Sequence, residues 1–563
     1  MEGDLFMVDL NKVYHEWLSK VSDESLQKEL KSIWGKSRPI ADRFFKVIDF
    51  GTAGLRGELG AGTNFMNIYT VARATQGIAD YMNEHHMKSV AISYDSRYMS
   101  KEFAIDTACV FAKNNIQVYL VSELQPTPVL SYIVRELKCD VGIMITASHN
   151  PASYNGYKVY GSDGCQVTSQ MAADMKECIN KHDFFGIEKM NFEEALANNL
   201  VSYVPNEVIL KFTKEVQKTR LSHNDLNNIS VVYTPLNGTG WILVPKALLK
   251  SEVGSLTFVE EQLIPDPSFR TCPFPNPEIR ESLELGIKKA KHVEADILIA
   301  TDPDCDRVGT AVLHNGKYEL ISGNEMGVLL SDYILKMRAQ NNTLPQEGVI
   351  VKTIVTTELI NAIAKKYNVK VKNVLTGFKY IGEVITNLEK ENKEDNYIFG
   401  FEESYGYLPG TYVRDKEAVS TSLLIAEVCS YYKAQGKTLV DALNDIYEEY
   451  GYYYHKLFNF YFDGAAGFTK MVNLMASLRE HPITEIAGLK VLEMIDYNKG
   501  IDDLPKADVV TYKLEEGSQI IIRPSGTEPK LKVYATAVGN RKASEEIVAR
   551  MDEWLNKFIN EKC

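Results

Sequence analysis

Val141-Gly142-Ile143-Met144-Ile145-Thr146-Ala147-Ser148-His149-Asn150-Pro151 is the stretch that decides the fold. Its apolar half is short enough for a buried strand, and it stops at a polar loop closed by proline. A strand that ends this way shows its last side chains at the carboxyl edge of a sheet, where open α/β sheets place their chemistry. Ser148 is therefore expected on display. The same punctuation recurs along the chain. Val90-Ala91-Ile92-Ser93-Tyr94 runs into Asp95-Ser96-Arg97, and Val231-Val232-Tyr233 into Thr234-Pro235-Leu236-Asn237-Gly238. Ile297-Leu298-Ile299-Ala300 runs into Thr301-Asp302-Pro303-Asp304-Cys305-Asp306-Arg307, and Val349-Ile350-Val351 into Lys352-Thr353. Tyr397-Ile398-Phe399 runs into Gly400-Phe401-Glu402-Glu403-Ser404-Tyr405-Gly406. Helix-like stretches, such as Glu278 to His292 and Glu358 to Tyr367, lie between them. Strand alternating with helix gives an α/β fold class.

The six strand–loop units fall into three pairs, which predicts three similar mixed-sheet α/β domains. The tail differs. Ile520-Ile521-Ile522 and Leu531-Lys532-Val533-Tyr534-Ala535 bracket a polar loop, and a helix is expected from Ala543 to Ile559. That pattern reads as a smaller C-terminal α+β domain. A chain of 563 residues exceeds the ~250–300 residues at which one core stops growing. The expected edges are about 1–205, 206–320, 321–455 and 456–563. Five tyrosines between Tyr447 and Tyr454 are expected to pack between the third and fourth domains.

Apolar content of 45% and charged content of 24% are those of an ordinary globular protein. A formal charge of −13 with no basic stripe argues against nucleic acid as partner. The eight cysteines show no CxxC pair, so buried reduced thiols are expected. No apolar run nears the ~18–20 residues that span a bilayer, and Met1-Glu2-Gly3-Asp4-Leu5 does not open a signal peptide. A cytoplasmic protein with no membrane partner, monomeric or weakly homo-oligomeric, is expected.

Asp302, Asp304 and Asp306 put three hard oxygen donors at alternate positions. Carboxylates so close repel one another unless a cation sits among them, and Mg²⁺ suits such donors. An EF-hand is excluded, since Arg307 and Leu313 stand where glycine and glutamate are required. Asp304-Cys305-Asp306-Arg307-Val308 also fits the DxDxV pattern of aspartate-nucleophile phosphatases, though Thr301-Asp302-Pro303 separates it from its strand. A solvated acidic turn is the plainer alternative. For Ser148 the plain alternative is a turn former. Adjacent residues of extended chain face opposite ways, so His149 is not automatically its base.

Four loops in order carry a resemblance: Thr146 to Pro151, Asp302 to Arg307, Gly400 to Gly406, and Arg523-Pro524-Ser525-Gly526-Thr527-Glu528-Pro529. They resemble the signature loops of the α-D-phosphohexomutases, the phosphoglucomutase/phosphomannomutase superfamily. Gly51-Thr52-Ala53-Gly54-Leu55-Arg56-Gly57 is similar to that family's first active-site loop. The resemblance implies four domains around a central active-site cleft. It makes Ser148 the phosphoserine and a metal ligand, with Asp302, Asp304 and Asp306 binding one Mg²⁺. Arg56, His149, Lys158 and Arg307 then lie in the catalytic centre, with Lys352 and Lys416 as acid/base helpers. Glu402 and Ser404 hold sugar hydroxyls, while Arg523, Ser525, Gly526 and Thr527 grip the distal phosphate. The implied reaction passes through a sugar 1,6-bisphosphate that turns end for end, and hinge motion of the last domain is expected to accompany it. Glucose phosphate is the expected substrate, with pentose and mannose phosphates next. An Asp304-nucleophile phosphatase and a non-catalytic phosphosugar sensor are the rival readings.

Overall fold

Val141–Ile145 is a fully buried strand, and its neighbours are the strands that the same punctuation marks out. The computed structural model describes residues 10–52, 54–222, 225–462, 464–481, 483–501, 503–525 and 530–562. The first sheet holds β1 (Leu55–Glu58), β2 (Ser89–Tyr94), β3 (Gln117–Leu120), β4 (Val141–Ile145), β5 (Tyr154–Gly161) and β6 (Val201–Tyr203), in the order β1-β5-β4-β2-β3-β6. The second holds β7 (Ser230–Thr234), β8 (Ser255–Phe258), β9 (Ile297–Thr301), β10 (Val308–His314) and β11 (Lys317–Ile321), in the order β11-β10-β9-β7-β8. The third holds β12 (Val349–Thr353), β13 (Lys370–Val374), β14 (Tyr397–Glu402) and β15 (Gly406–Leu408), in the order β13-β12-β14-β15.

These three sheets repeat one device. A central parallel pair, β2 with β4, β7 with β9 or β12 with β14, is followed by a hairpin back to an antiparallel strand. Each hairpin loop contains a non-glycine residue in the left-handed region: Ser148 at φ 52°, Cys305 at φ 53° and Tyr405 at φ 63°. That conformation costs of order 1–3 kcal/mol per residue and tends to collect at functional loops. The serine, aspartate and glutamate motifs occupy these three loops, so their common position is a consequence of topology.

The fourth sheet is wholly antiparallel: β16 (Tyr452–Tyr461), β17 (Glu485–Ile486), β18 (Leu489–Asp496), β19 (Val510–Leu514), β20 (Gln519–Pro524) and β21 (Lys530–Gly539), in the order β16-β21-β20-β19-β18-β17. Helix Arg541–Lys562 buries Ile547, Val548, Met551 and Leu555 against its core. β16 runs through position 455, so the unit begins ahead of the expected edge, at Gly451, whose φ of 94° ends helix Leu439–Tyr450. Ile354, Val355 and Leu375 of the third unit pack on Tyr497, Val509, Ile521 and Tyr534 of the fourth. Tyr447 meets Tyr452 edge-on at 4.7 Å across the same junction.

The sequence reading did not foresee a satellite core of three short helices, Leu10–Lys20, Glu24–Ser32 and Ser37–Phe44, built on Tyr14, Trp17, Leu30, Ile40 and Phe44. Among the described residues, no helix is long and apolar enough to cross a membrane.

Helix Gly323–Gln340 lies so close to β14 that a Cβ at Gly327 would stand 2.0 Å from the buried Phe401 ring. Gly327→Ala gains about 1 kcal/mol of helix propensity but overpacks a fixed ring at a cost of about 1–3 kcal/mol. The clash is expected to win. Hydrogen exchange in β12 and β14 should therefore speed up in the variant.

Candidate active site

The metal-type loop is held from three sides. Helix Thr127–Glu136 of the first unit begins on it: the Thr127 N–H donates to Asp304 O at 2.8 Å, and its Oγ1 to Asp304 Oδ2 at 2.8 Å. Helix Ala418–Lys433 of the third unit begins there too, its first N–H reaching Cys305 O at 3.4 Å. Arg307 bridges Gly406, with the Val308 N–H on Tyr405 O at 3.2 Å. Two helix N-termini on one acidic loop stabilise its negative charge. Within the loop, Asp302 Oδ1 accepts the N–H groups of Asp306 and Arg307, both at 3.0 Å.

Ser148 sits opposite and is buried, not on display as its strand end suggested. Its Oγ donates to Asp302 Oδ2 at 2.9 Å and lies 3.2 Å from His149 Nδ1. Its loop is pinned by the buried Arg97, whose guanidinium donates to the carbonyls of Ser148, Asn150, Pro151 and Tyr154. Arg97 Nε stands 3.2 Å from Asp95 Oδ2. Arg56, on β1 beside Gly156, reaches Asn150 Oδ1 at 3.4 Å. Gly54 makes that approach possible: at φ 74°, a Cβ there would lie 1.8 Å from Tyr157 O.

Oppositely charged groups close in around the triplet. Lys158 Nζ lies 2.8 Å from Asp304 Oδ2 and 3.5 Å from Asp306 Oδ2, and Lys416 Nζ lies 3.2 Å from both Asp306 Oδ2 and Asp415 Oδ1. Arg307 pairs with Glu278, with Asp306 at 3.9 Å. Burial opposes the charge on Lys158 and Lys416, yet the carboxylates hold both ammoniums above the usual lysine range. Burial likewise pushes Asp304 up, but Lys158 together with the Asp302 and Thr127 hydrogen bonds outweighs it and keeps that carboxyl well below the usual carboxylate range. Asp302 is pushed the other way by burial and then by its two neighbours. Burial and the Arg307 and Arg56 charges keep His149 neutral, well below its usual range.

A divalent cation fits this loop on two grounds. The carboxylate oxygens of Asp302, Asp304 and Asp306 come within 4.8 Å of one another, and Asp304 Oδ1 and both Asp306 oxygens are buried without a hydrogen bond. The ion-paired groups also leave a deficit. Among the described residues, Asp304, Asp306, Asp415 and Glu278 form their ion pairs with Lys158, Lys416 and Arg307, four carboxylates on three cations, and Asp302 has no ion pair of its own. Hard oxygen donors with negative charge in excess suit Mg²⁺.

A cleft of ≈ 770 Å³ opens from here. His149, Arg307, Glu402, Ser404, Lys416 and Arg523 all line it. Glu402 Oε1 accepts the Gly377 N–H at 2.9 Å, and burial raises its carboxyl against Lys416 and Arg307. The far wall belongs to the fourth unit, where β20 and β21 present Arg523, Lys530 and Lys532. Among the described residues, these three cations have no carboxylate within 4 Å. The Ser525 N–H donates to Lys530 O at 2.7 Å; Gly526 and Thr527 lie outside the described residues.

Lys352 is the correction. It does not line the cleft: its Nζ turns beneath the loop after β12, to Thr356 O at 3.1 Å and Glu358 Oε1 at 3.1 Å. Burial lowers it, and burial together with the Lys352 charge takes the neighbouring His455 down to about 4. Sequence reasoning also passed over Arg97, Thr127 and Asp415. Only Arg97 had a visible signal, its place in a strand-end loop.

Comparison with known proteins agrees with this geometry. The family descriptions "Phosphoglucomutase/phosphomannomutase, alpha/beta/alpha domain" I, II and III match residues 47–185, 210–316 and 322–450, and its C-terminal domain matches 474–553. The chain belongs to the phosphoglucomutase/phosphomannomutase family of the α-D-phosphohexomutase superfamily. A phosphoglucomutase of Staphylococcus epidermidis is 37% identical over 538 residues, 93% of this chain and 96% of the relative. One of Staphylococcus haemolyticus is 38% identical over 515 residues, covering 87% and 90%. In fold, the chain is similar to pp63/parafusin of Paramecium (TM-score 0.69, 18% identity, 91% and 94% covered). It is also similar to a family protein of Burkholderia thailandensis (TM-score 0.68, 17% identity, 91% and 97% covered).

Replacing Arg97 by methionine leaves Asp95 unpaired and four carbonyls without their donor. Breaking such a buried pair costs about 3–5 kcal/mol. Arg97→Met is expected to speed hydrogen exchange across residues 146–156 well ahead of the rest of the chain.

Proposed function

We propose that the chain is a phosphoglucomutase, interconverting α-D-glucose 1-phosphate and glucose 6-phosphate through phospho-Ser148 and a glucose 1,6-bisphosphate intermediate. One observation carries the reading: the cleft is an anion site at both ends. Arg307 and Lys416, beside the aspartate loop that Ser148 Oγ hydrogen-bonds, line one end, and Arg523, Lys530 and Lys532 line the other. A ligand with a phosphate at each end suits such a cleft. The relatives named phosphoglucomutase, at 37% and 38% identity, support glucose as the sugar.

Asp302, Asp304 and Asp306, with an oxygen of the seryl phosphate, would hold one Mg²⁺. When bound, that ion supplies charge neutralisation on the transferring phosphoryl group. Lys158 and Arg307 add fixed positive charge beside the same oxygens, where preorganised charge is most effective. Glu402 and Ser404 orient the sugar so that one hydroxyl lies in line with the phosphorus. Arg523 offers the distal phosphate a planar fork of donors.

Transfer from phospho-Ser148 to the sugar hydroxyl breaks the Oγ–P and sugar O–H bonds and forms the sugar O–P bond, and the hydroxyl proton ends on Ser148 Oγ by way of His149 Nδ1. In the return step Ser148 Oγ attacks the other phosphate of the turned bisphosphate and gives up its own proton. Asp302 Oδ2 and His149 Nδ1 stand within reach of that proton. Asp302 is committed to the cation, so the neutral His149 is the acceptor we assign. Asp304 is a poor nucleophile by comparison. Its Oδ2 is already engaged by Thr127 and Lys158, and the residue is fully buried.

Ser148→Ala is expected to lose at least ~1,000-fold, within the ~10⁶-fold that removal of an enzyme's nucleophile can cost, in a coupled assay with Mg²⁺ and a trace of bisphosphate. Glucose 1-phosphate should turn over faster than mannose or ribose 1-phosphate. Full activity in the variant, or release of free phosphate alone, would overturn the mutase reading.

A further inference from the structure

Glu403 lines the same cleft, and no step above uses it. β14 turns into β15 through Glu403, Ser404 and Tyr405, and the alternation of the chain sends neighbouring glutamates opposite ways. Glu402 points to the Gly377 N–H and Lys416. Glu403 points to Thr353, whose Oγ1 donates to Oε2 at 3.3 Å, and it lines the cleft together with Arg523 and Lys532 of the fourth unit, whose charges act on it. Of the acids acting on Lys532, Glu403 comes first and Glu278 second. It is therefore the counter-charge of the distal phosphate site when no ligand is there.

We propose that Glu403 couples ligand binding to proton uptake: as the distal phosphate enters between Arg523 and Lys532, the Glu403 carboxylate takes one proton from solvent and remains as a neutral O–H donor. This rests on the phosphosugar reading above. Two changes act on the carboxylate in the same direction. A phosphate dianion repels it, and the same dianion compensates the two cations that had favoured its charged form. The proton comes from the buffer and forms an O–H bond on Glu403. No electrons move, and the ligand stays a dianion.

Glu403 starts well placed for this. Burial and then the Glu402 charge push its carboxyl up to about 7, against Arg523 and Lys532. The other groups facing it are the Thr353 hydroxyl and the Tyr534 phenol, which burial and Glu403 itself keep protonated. A carboxyl whose pKa rises on binding favours the ligand at low pH. Affinity should therefore fall as pH climbs from 7 towards the higher value of the complex.

The test is calorimetry of glucose 6-phosphate binding to Ser148→Ala, which cannot turn over, at pH 7.5 in buffers of low and high ionisation enthalpy. Uptake of about half a proton per ligand is expected from a carboxyl raised by a unit or more. The ester's own second ionisation, near 6, would give release, the opposite sign. The Ser148→Ala/Glu403→Gln variant keeps the Thr353 contact and should bind with no uptake. Binding with equal uptake in both proteins, or with none in either, overturns the proposal and leaves the function standing. No binding by either protein overturns the phosphosugar reading and this inference with it.

Discussion

Three aspartates buried on one six-residue loop set the terms for everything around them. Unpaired, each would cost several kcal/mol in desolvation, and repulsion would force at least one to stay protonated. The chain answers with Lys158 from the first sheet, Lys416 from the third unit and two helix N-termini on the loop backbone. Those groups come from the first and third units and the triplet from the second, so the folded triplet also holds three units together. What they leave over, three buried carboxylate oxygens without a hydrogen bond and an excess of negative charge, is the place a divalent cation would complete.

The same constraint explains why the chemistry is shared among units. Each of the first three sheets ends its central strand in a hairpin with one left-handed residue, and the hairpins converge on one cleft. One brings a hydroxyl, one brings the carboxylates and one brings sugar-binding groups. The fourth unit is wholly antiparallel, without a central parallel strand, and contributes Arg523, Lys530 and Lys532 instead. It meets the third through a small apolar patch centred on Ile354, Val355 and Tyr534. Phosphate contacts on a separately packed unit suit a ligand that must be held in two orientations.

Much of this was legible in the chain itself. The strand ends at Ile145, Ala300 and Phe399 carry polar loops directly after apolar runs, so the edge that bears the chemistry could be read from alternation and punctuation. Ser148, the aspartate triplet and Lys416 do meet, as the loops resembling the superfamily implied. The failures have a common cause. Lys352 and Lys158 both lie within strands, and nothing local says that the side chain of Lys352 turns to Glu358 while that of Lys158 reaches Asp304. Thr127 and Asp415 act through contacts with residues far away in sequence, which no local pattern records. The three N-terminal helices are short and amphipathic, and they carry no strand signal to mark them as a unit.

The claim at the centre of this account is that Ser148 carries the phosphoryl group. Its most direct test is peptide mass spectrometry of the protein, quenched after mixing with glucose 1,6-bisphosphate and Mg²⁺, with and without a chase of glucose 1-phosphate. The account predicts one phosphoryl group on the peptide containing Ser148, transferred away by the chase. A borohydride-trapped acyl phosphate at Asp304, or a Ser148 peptide that is never phosphorylated, would contradict it.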